Sequence, residues 1–230
     1  MPEEISMKMI ARIRSDFPTK FGIPRQSGLV RELKSTIVFE PEYRDENALR
    51  GIEQFTHLWL IWQFSGAVRE DWSPTVRPPR LGGNTRIGVF ATRSPFRPNP
   101  IGLTSVRLEA VERDPHLGMV LVVSGADLMD GTPILDIKPY IPFTDAHSDA
   151  ADGYTAQTIT HALEVNFPQE LLEHIDPDKR DALSGVLRQD PRPSYQDDPK
   201  RIYGFRFASW EIRFRVENNM LTVVSVEESL

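Results

Sequence analysis

The segment ATRSPFRPNPIGLTSVRL, residues 91–108, holds the densest set of side chains suited to chemistry in this 230-residue chain. Its prolines Pro95, Pro98 and Pro100 preset φ near about −65° and predict a stiff loop. Such a loop would present Arg93, Arg97 and Asn99 in a set geometry. Guanidinium forks suit phosphate or carboxylate, and a carboxamide suits the edge of a base. The same Arg-Pro-Asn-Pro run also fits a kinked connection with no ligand.

A second reservoir is SGADLMDGTPILDIKPYIPFTD, residues 124–145, where Asp127, Asp130 and Asp136 fall within ten residues and Lys138 and Tyr140 follow. Clustered carboxylates can bind a hard cation, grip ribose hydroxyls or an ammonium group, or cap turn amides. No histidine lies nearby and the spacing matches no calcium loop, so organic hydroxyls or an amine fit better and no metal is expected. In FGIPRQSGLV, residues 21–30, Arg25 and Gln26 suit a carboxylate or an adenine edge, although on this segment alone ordinary loop polarity explains them better. QDPRPSY, residues 189–195, adds Arg192 and Tyr195. Beyond it, aromatics alternate with arginines from Tyr203 to Arg215, as a base-stacking strand or simply as one buried and one solvated face.

Several chemistries are excluded. The chain has no cysteine, hence no thiolate zinc, iron–sulfur cluster, disulfide or cysteine nucleophile. It lacks Gly-x-Gly-x-x-Gly, a P-loop and a nucleophile elbow, and its 5 histidines are dispersed. No apolar run approaches the roughly 18 residues of a membrane span, and the N-terminal MPEEISMKMI has no signal-peptide pattern, so a cytoplasmic location is expected.

These residues need elements to hold them. Period-2 alternation predicts strands over 6–14, 35–39, 58–64, 85–91, 102–111, 119–125 and 134–138, separated by Pro, Gly or Asn. One helix is predicted over 44–54 with Asp45 as its N-cap. Seven short strands and one helix imply a mainly β fold, a small antiparallel barrel spanning 1–145. Residues 143–158 read as a linker, and 146–230 as a smaller α+β C-terminal domain. That domain has a strand over 162–167, helical spacing over 168–189 broken at Asp176-Pro177, and a hairpin of 202–216 and 221–226 turning at Asn218-Asn219.

Charge is segregated along the chain. Between Trp72 and Leu108 there is no acid, and Arg77, Arg80, Arg86, Arg93, Arg97 and Arg107 supply six cations. Residues 145–200 carry twelve acids against five bases. A net charge of −6 therefore conceals a local electropositive surface.

Taken together, FTHLWLIWQF (55–64), RPPRLGGNTRIGVFATRSPFRPNPIGLTSVRL (77–108), DLMDGTPILDIKPYIPF (127–143) and QDPRPSY (189–195) resemble the TsaA/TrmO-like methyltransferases. The resemblance runs from about Ile10 to about Val224. It implies a non-Rossmann β-barrel methyltransferase domain with a smaller C-terminal domain, a homodimer, and S-adenosylmethionine as cofactor. It also implies tRNA carrying threonylcarbamoyladenosine as partner, methylated at N6 beside the anticodon, at position 37. The implied cofactor loops are Pro24, Arg25 and Gln26; Phe64 and Ser65; Arg93; Ile101, Gly102 and Leu103; and Asp127, Leu128, Met129 and Asp130. Bacterial relatives often have His-Gln where this chain has Ser65-Gly66.

Methyl transfer to a ureido nitrogen needs positioning and a proton acceptor, for which Asp136 and Tyr195 are the candidates. Arg97, Lys138 or Arg192 would meet the threonyl carboxylate, and Asn99 the base edge. A non-catalytic RNA-binding barrel and a methyltransferase with another acceptor are the alternatives.

Overall fold

The computed structural model describes residues 5–67, 71–78, 85–158, 162–192 and 198–229. Six strands pair around a closed barrel in the order β1-β2-β7-β6-β3-β8: β1 (Ala11–Arg14), β2 (Lys34–Phe39), β3 (His57–Gln63), β6 (Ile101–Asp114), β7 (Gly118–Ser124) and β8 (Pro133–Pro139). All six pairings are antiparallel, and β1 closes the ring against β8 through Ala11↔Ile134 and Arg12↔Pro133. Strict alternation explains the core. In β3, Leu58, Leu60 and Trp62 point inward, while His57, Trp59, Ile61 and Gln63 lie half-buried on the outer face. With Ile13, Ile37, Val106, Leu121 and Ile134 they fill the interior.

Three expectations needed correction. Residues 44–54 do not form one helix. Two 3₁₀ turns, Glu46–Leu49 and Ile52–Gln54, flank Gly51 at φ 87°, a left-handed residue that ends any continuous helix; Asp45 nevertheless caps Asn47 N–H at 2.9 Å. The strand predicted over 85–91 shrinks to β5 (Ile87–Gly88), paired with β4 (Thr75–Val76), and then turns through Val89–Ala91. Lastly, 202–216 is two strands, β10 (Tyr203–Phe207) and β11 (Trp210–Glu217), reversed at Ala208, whose φ is 50°. The Asn218-Asn219 turn into β12 (Met220–Glu228) has φ of 49° and 66°, as a primed hairpin turn demands.

A second sheet, β10-β11-β12-β9 with β9 (Glu164–Asn166) parallel to β12, packs under α3 (Arg180–Arg188). Shorter helices α1 (Pro142–Asp145) and α2 (Gln169–Leu172) complete the list. The core of this second sheet includes Phe17, Val30 and Leu33 from the N-terminal segment between β1 and β2. Phe17 meets Phe207 edge-on at 5.6 Å, Asp16 takes two bonds from Lys179 Nζ (2.8 and 2.7 Å), and the Asp16 carbonyl accepts the Ala208 N–H. Residues 15–33 thus strap barrel and second sheet together. No helix of the described residues is long and apolar enough to cross a membrane.

Candidate active site

The most polar assembly inside the barrel begins with an indole. Trp62 is inward-facing, and a buried Trp N–H requires an acceptor. Thr104, 1% exposed on β6, supplies it: Trp62 Nε1 donates to Thr104 Oγ1 at 2.9 Å, and the threonine hydroxyl donates onward to Asp127 Oδ1 at 2.8 Å. The indole lies flat on Gly102, where any Cβ would sit 2.2 Å from Trp62 Cε2, so only glycine fits that inward position.

Asp127 lies in the loop after β7, and two glycines set its place. Gly28 N–H donates to the Gly125 carbonyl at 2.9 Å, and Gly125, at φ 76°, approaches the Gly28 backbone so closely that a Cβ would stand 3.4 Å from it. This contact carries residues 24–28 to the Asp127 loop. The Ser27 backbone bonds to the Asp127 carboxyl, and Arg93 lies near enough to favour its ionised form, yet desolvation outweighs both and raises its pKa above the usual carboxylate value. Arg93 Nη1 donates to Gln26 Oε1, and the Gln26 amide donates to the Arg25 carbonyl at 2.6 Å. Gln26, Arg93 and Asp127, distant in sequence, therefore share one end of the barrel.

Two more of the expected loops arrive there. Phe64 N–H bonds to Pro100 O at 2.9 Å, which ties the end of β3 to the proline-rich loop, and its ring packs on Trp62 at 4.2 Å. The Ser65-Gly66 turn abuts Met129, whose Cε lies 3.9 Å from where a Gly66 Cβ would be.

Other expected residues are placed differently. Leu128 is 1% exposed in the barrel core, and its carbonyl accepts the Ser15 hydroxyl. Asp130 turns toward β1 and accepts the Ser15 N–H at 3.0 Å. Ile101 continues β6 from Asn99, whose carbonyl accepts its N–H at 2.7 Å, while Leu103 points to the outer face, opposite Gly102 and Thr104. Pro24 is buried against a cleft of about 260 Å³ shared with Val186 and Arg192, and Arg25 donates to the Arg192 carbonyl. Arg192 forms a bidentate pair with Asp190 at 2.8 and 3.0 Å, both nearly buried, so its fork is occupied within the chain. Arg97 donates to the Val89 and Thr92 carbonyls and locks the 89–97 turn, leaving its buried Nε without a partner. Asn99 is exposed.

Asp136 and Lys138 form an ion pair at 2.8 Å on the barrel's outer face, registered beside Ile61 and Trp59. A bulge at Leu135 turns them away from Ile134. They sit together on strand β8, whereas Gln26, Arg93 and Asp127 are carried by loops. Tyr195 and Arg80 lie outside the described residues. Among the described residues no group of three His, Asp or Glu could hold a metal ion.

Thr104, Trp62 and Ser27 were not anticipated. The signal available was a small residue and a threonine, Gly102 and Thr104, at inward positions of a strand otherwise built from bulky side chains, opposite a tryptophan needing an acceptor.

The model of the tRNA-methyltransferase O N-terminal domain matches residues 12–146, and that of the TrmO C-terminal domain matches residues 160–229. The chain belongs to the tRNA-methyltransferase O family. It is 47% identical to a tRNA (adenine(37)-N6)-methyltransferase of Eikenella corrodens, over 75% of this chain and 97% of the relative. It is 39% identical to the enzyme of the same description from Escherichia coli, over 96% and 97%. A crystal structure of TrmO from Pseudomonas aeruginosa superimposes with a TM-score of 0.78 at 33% identity, covering 98% of this chain and 100% of the other.

Proposed function

We propose that this protein transfers a methyl group from S-adenosylmethionine to N6 of threonylcarbamoyladenosine at position 37 of tRNA. Family membership supports S-adenosylmethionine-dependent methylation of tRNA adenine 37 at N6. The threonylcarbamoyl group is the finer part of the proposal, as are a homodimeric assembly, a cytoplasmic location and the division into a methyltransferase unit (1–145) and a C-terminal unit (146–230).

One observation carries the proposal: a desolvated carboxylate, an arginine and a carboxamide meet at the barrel's end beside a half-buried phenyl ring. The chemistry of that set fits S-adenosylmethionine. Asp127 suits ribose hydroxyls or the ammonium, Arg93 the carboxylate, and Gln26 and Phe64 the remaining polar and apolar edges. When bound, the cofactor supplies an electrophilic methyl on sulfur.

The chain's own groups then position and deprotonate. Lines of proline and a locked 89–97 turn hold Arg93 rigidly, which keeps the orientation entropy of the reaction low. A ureido nitrogen is a weak nucleophile, so its proton must leave during or after attack. Asp136 and Tyr195 are the proposed acceptors, and the ammonium of Lys138, paired with Asp136 in the free protein, is freed to meet the threonyl carboxylate when that pair opens. Replacing Asp136 by Asn should slow methyl transfer at saturating cofactor while leaving S-adenosylmethionine affinity unchanged. An unaltered rate would remove Asp136 from the chemistry.

A further inference from the structure

Trp72 and Phe90 form an exposed aromatic pair that belongs to neither core. Their ring centroids are 6.1 Å apart with planes at 28°, and 51% of Trp72 and 77% of Phe90 remain accessible. Single exposed apolar side chains are ordinary, but two large rings stacked on each other and left open form a patch. The fold holds them there. Val89 is 1% exposed and anchors the turn, its N–H bonded to Pro74 O at 2.9 Å, while its carbonyl accepts from Thr92 and Arg97. With Val89 fixed inward, the next residue, Phe90, is directed out.

Cations stand at the other end of the same short ribbon, away from the Thr75↔Gly88 pair that leads to the rings. Arg77 follows β4 and Arg86 precedes β5, so both flank the Val76↔Ile87 pair at one end of the ribbon; both are exposed, with Arg86 donating to Thr75 Oγ1 at 3.0 Å. No acidic residue occurs from Trp72 to Leu108. An open aromatic face at one end of an acid-free ribbon with arginines at its other end complements one ligand chemistry, a flat heterocycle on an extended polyanionic backbone. The platform is also close to the site. Phe90 and Arg93 are three residues apart, so their Cα atoms lie within about 10 Å.

We propose that Trp72 and Phe90 are a stacking platform for an unpaired base of the tRNA substrate, next to the adenosine that enters the methyl-transfer site, with Arg77 and Arg86 on the flanking phosphates. This rests on the tRNA reading above.

The test uses the full-length protein, with tRNA carrying threonylcarbamoyladenosine at fixed ionic strength. Trp72→Ala and Phe90→Ala should each weaken tRNA binding by about 5- to 100-fold, the range for losing one stacked base, while Trp72→Phe keeps most of the affinity. S-adenosylmethionine affinity should stay at the wild-type value in all three, which also shows that they fold. Alanine variants that bind tRNA like the wild type would overturn the platform. So would a Phe90→Ala protein with a changed oligomeric state and unchanged RNA affinity, because the rings would then face a second copy. A wild-type protein that binds this tRNA without methylating it would refute the proposed reaction alone, leaving the platform to be judged by the binding data.

Discussion

Thr104 donates its hydroxyl to Asp127 at 2.8 Å while accepting the indole N–H of Trp62 at 2.9 Å, so the proposed cofactor carboxylate is wired to the barrel core by a single threonine. A carboxylate held in this way is oriented by the packing of the sheet as well as by backbone groups of the loops around it. Burial raises its pKa, and the bond from Thr104 opposes the rise without cancelling it.

The sign of the pH effect follows. Asp127 is protonated more readily in the folded chain than in the unfolded one, so its ionisation destabilises the fold, and stability is lost as pH rises from the ordinary value, 3.8, through the raised one. Asp127→Asn keeps the oxygen that accepts from Thr104 and removes the charge. Its melting temperature relative to wild type should therefore climb between pH 3 and pH 7, while its S-adenosylmethionine affinity falls. A pH-independent difference would mean that Asp127 is not desolvated.

Arg93 has a different profile, being exposed and bonded to Gln26. Arg93→Ala should leave the melting temperature within about 1–2 °C of wild type, as surface changes do. Cofactor binding, measured calorimetrically, should weaken by about 10- to 100-fold, the worth of a hydrogen bond to a charged group.

Gly102→Ala tests the inner wall. Its methyl would enter the indole of Trp62 at 2.2 Å, and the indole cannot retreat without surrendering Thr104. Overpacking of this kind costs about 1–3 kcal/mol, visible in the denaturant midpoint. Leu103→Ala, one residue along on the outer face at 56% exposure, should cost far less.

The junction between barrel and second sheet depends on Lys179. Both of its contacts to Asp16 are short and mostly shielded, with side-chain exposures of 25% and 13%. Lys179→Ala should destabilise the protein by about 1–3 kcal/mol in chemical denaturation, because the Asp16 carboxylate loses its cation. Equal stability of variant and wild type would show that the strap is held by the other contacts, such as Phe17 on Phe207 and the Ala208 N–H on the Asp16 carbonyl.

The strands of the barrel were legible because their burial alternates residue by residue: Leu58, Leu60 and Trp62 inward, Trp59 and Ile61 outward. Where tertiary contacts override local pattern, the reading failed. Residues 85–91 alternate like a strand, yet Arg97 reaches back to the carbonyls of Val89 and Thr92 and closes a turn instead. Residues 202–216 looked continuous because Ala208, the left-handed residue that reverses them, carries no turn signal. Gln26, Arg93 and Asp127, which the family motifs single out, lie together at one end of the barrel. The Trp62–Thr104–Asp127 chain was not legible, since hydrogen bonds between residues 23 and 42 positions apart have no local pattern. The pairing of Arg192 with Asp190, two residues before it, is likewise invisible in a count of charges over 145–200.

The most direct test of the proposed reaction is mass spectrometry of tRNA nucleosides after incubating the purified protein with S-adenosylmethionine and tRNA carrying threonylcarbamoyladenosine, with unmodified tRNA alongside. One added methyl on the threonylcarbamoyladenosine, and none on the unmodified adenosine, is the predicted result. Methylation of unmodified adenosine 37 at an equal rate, or of neither tRNA by protein that binds the cofactor, would contradict it.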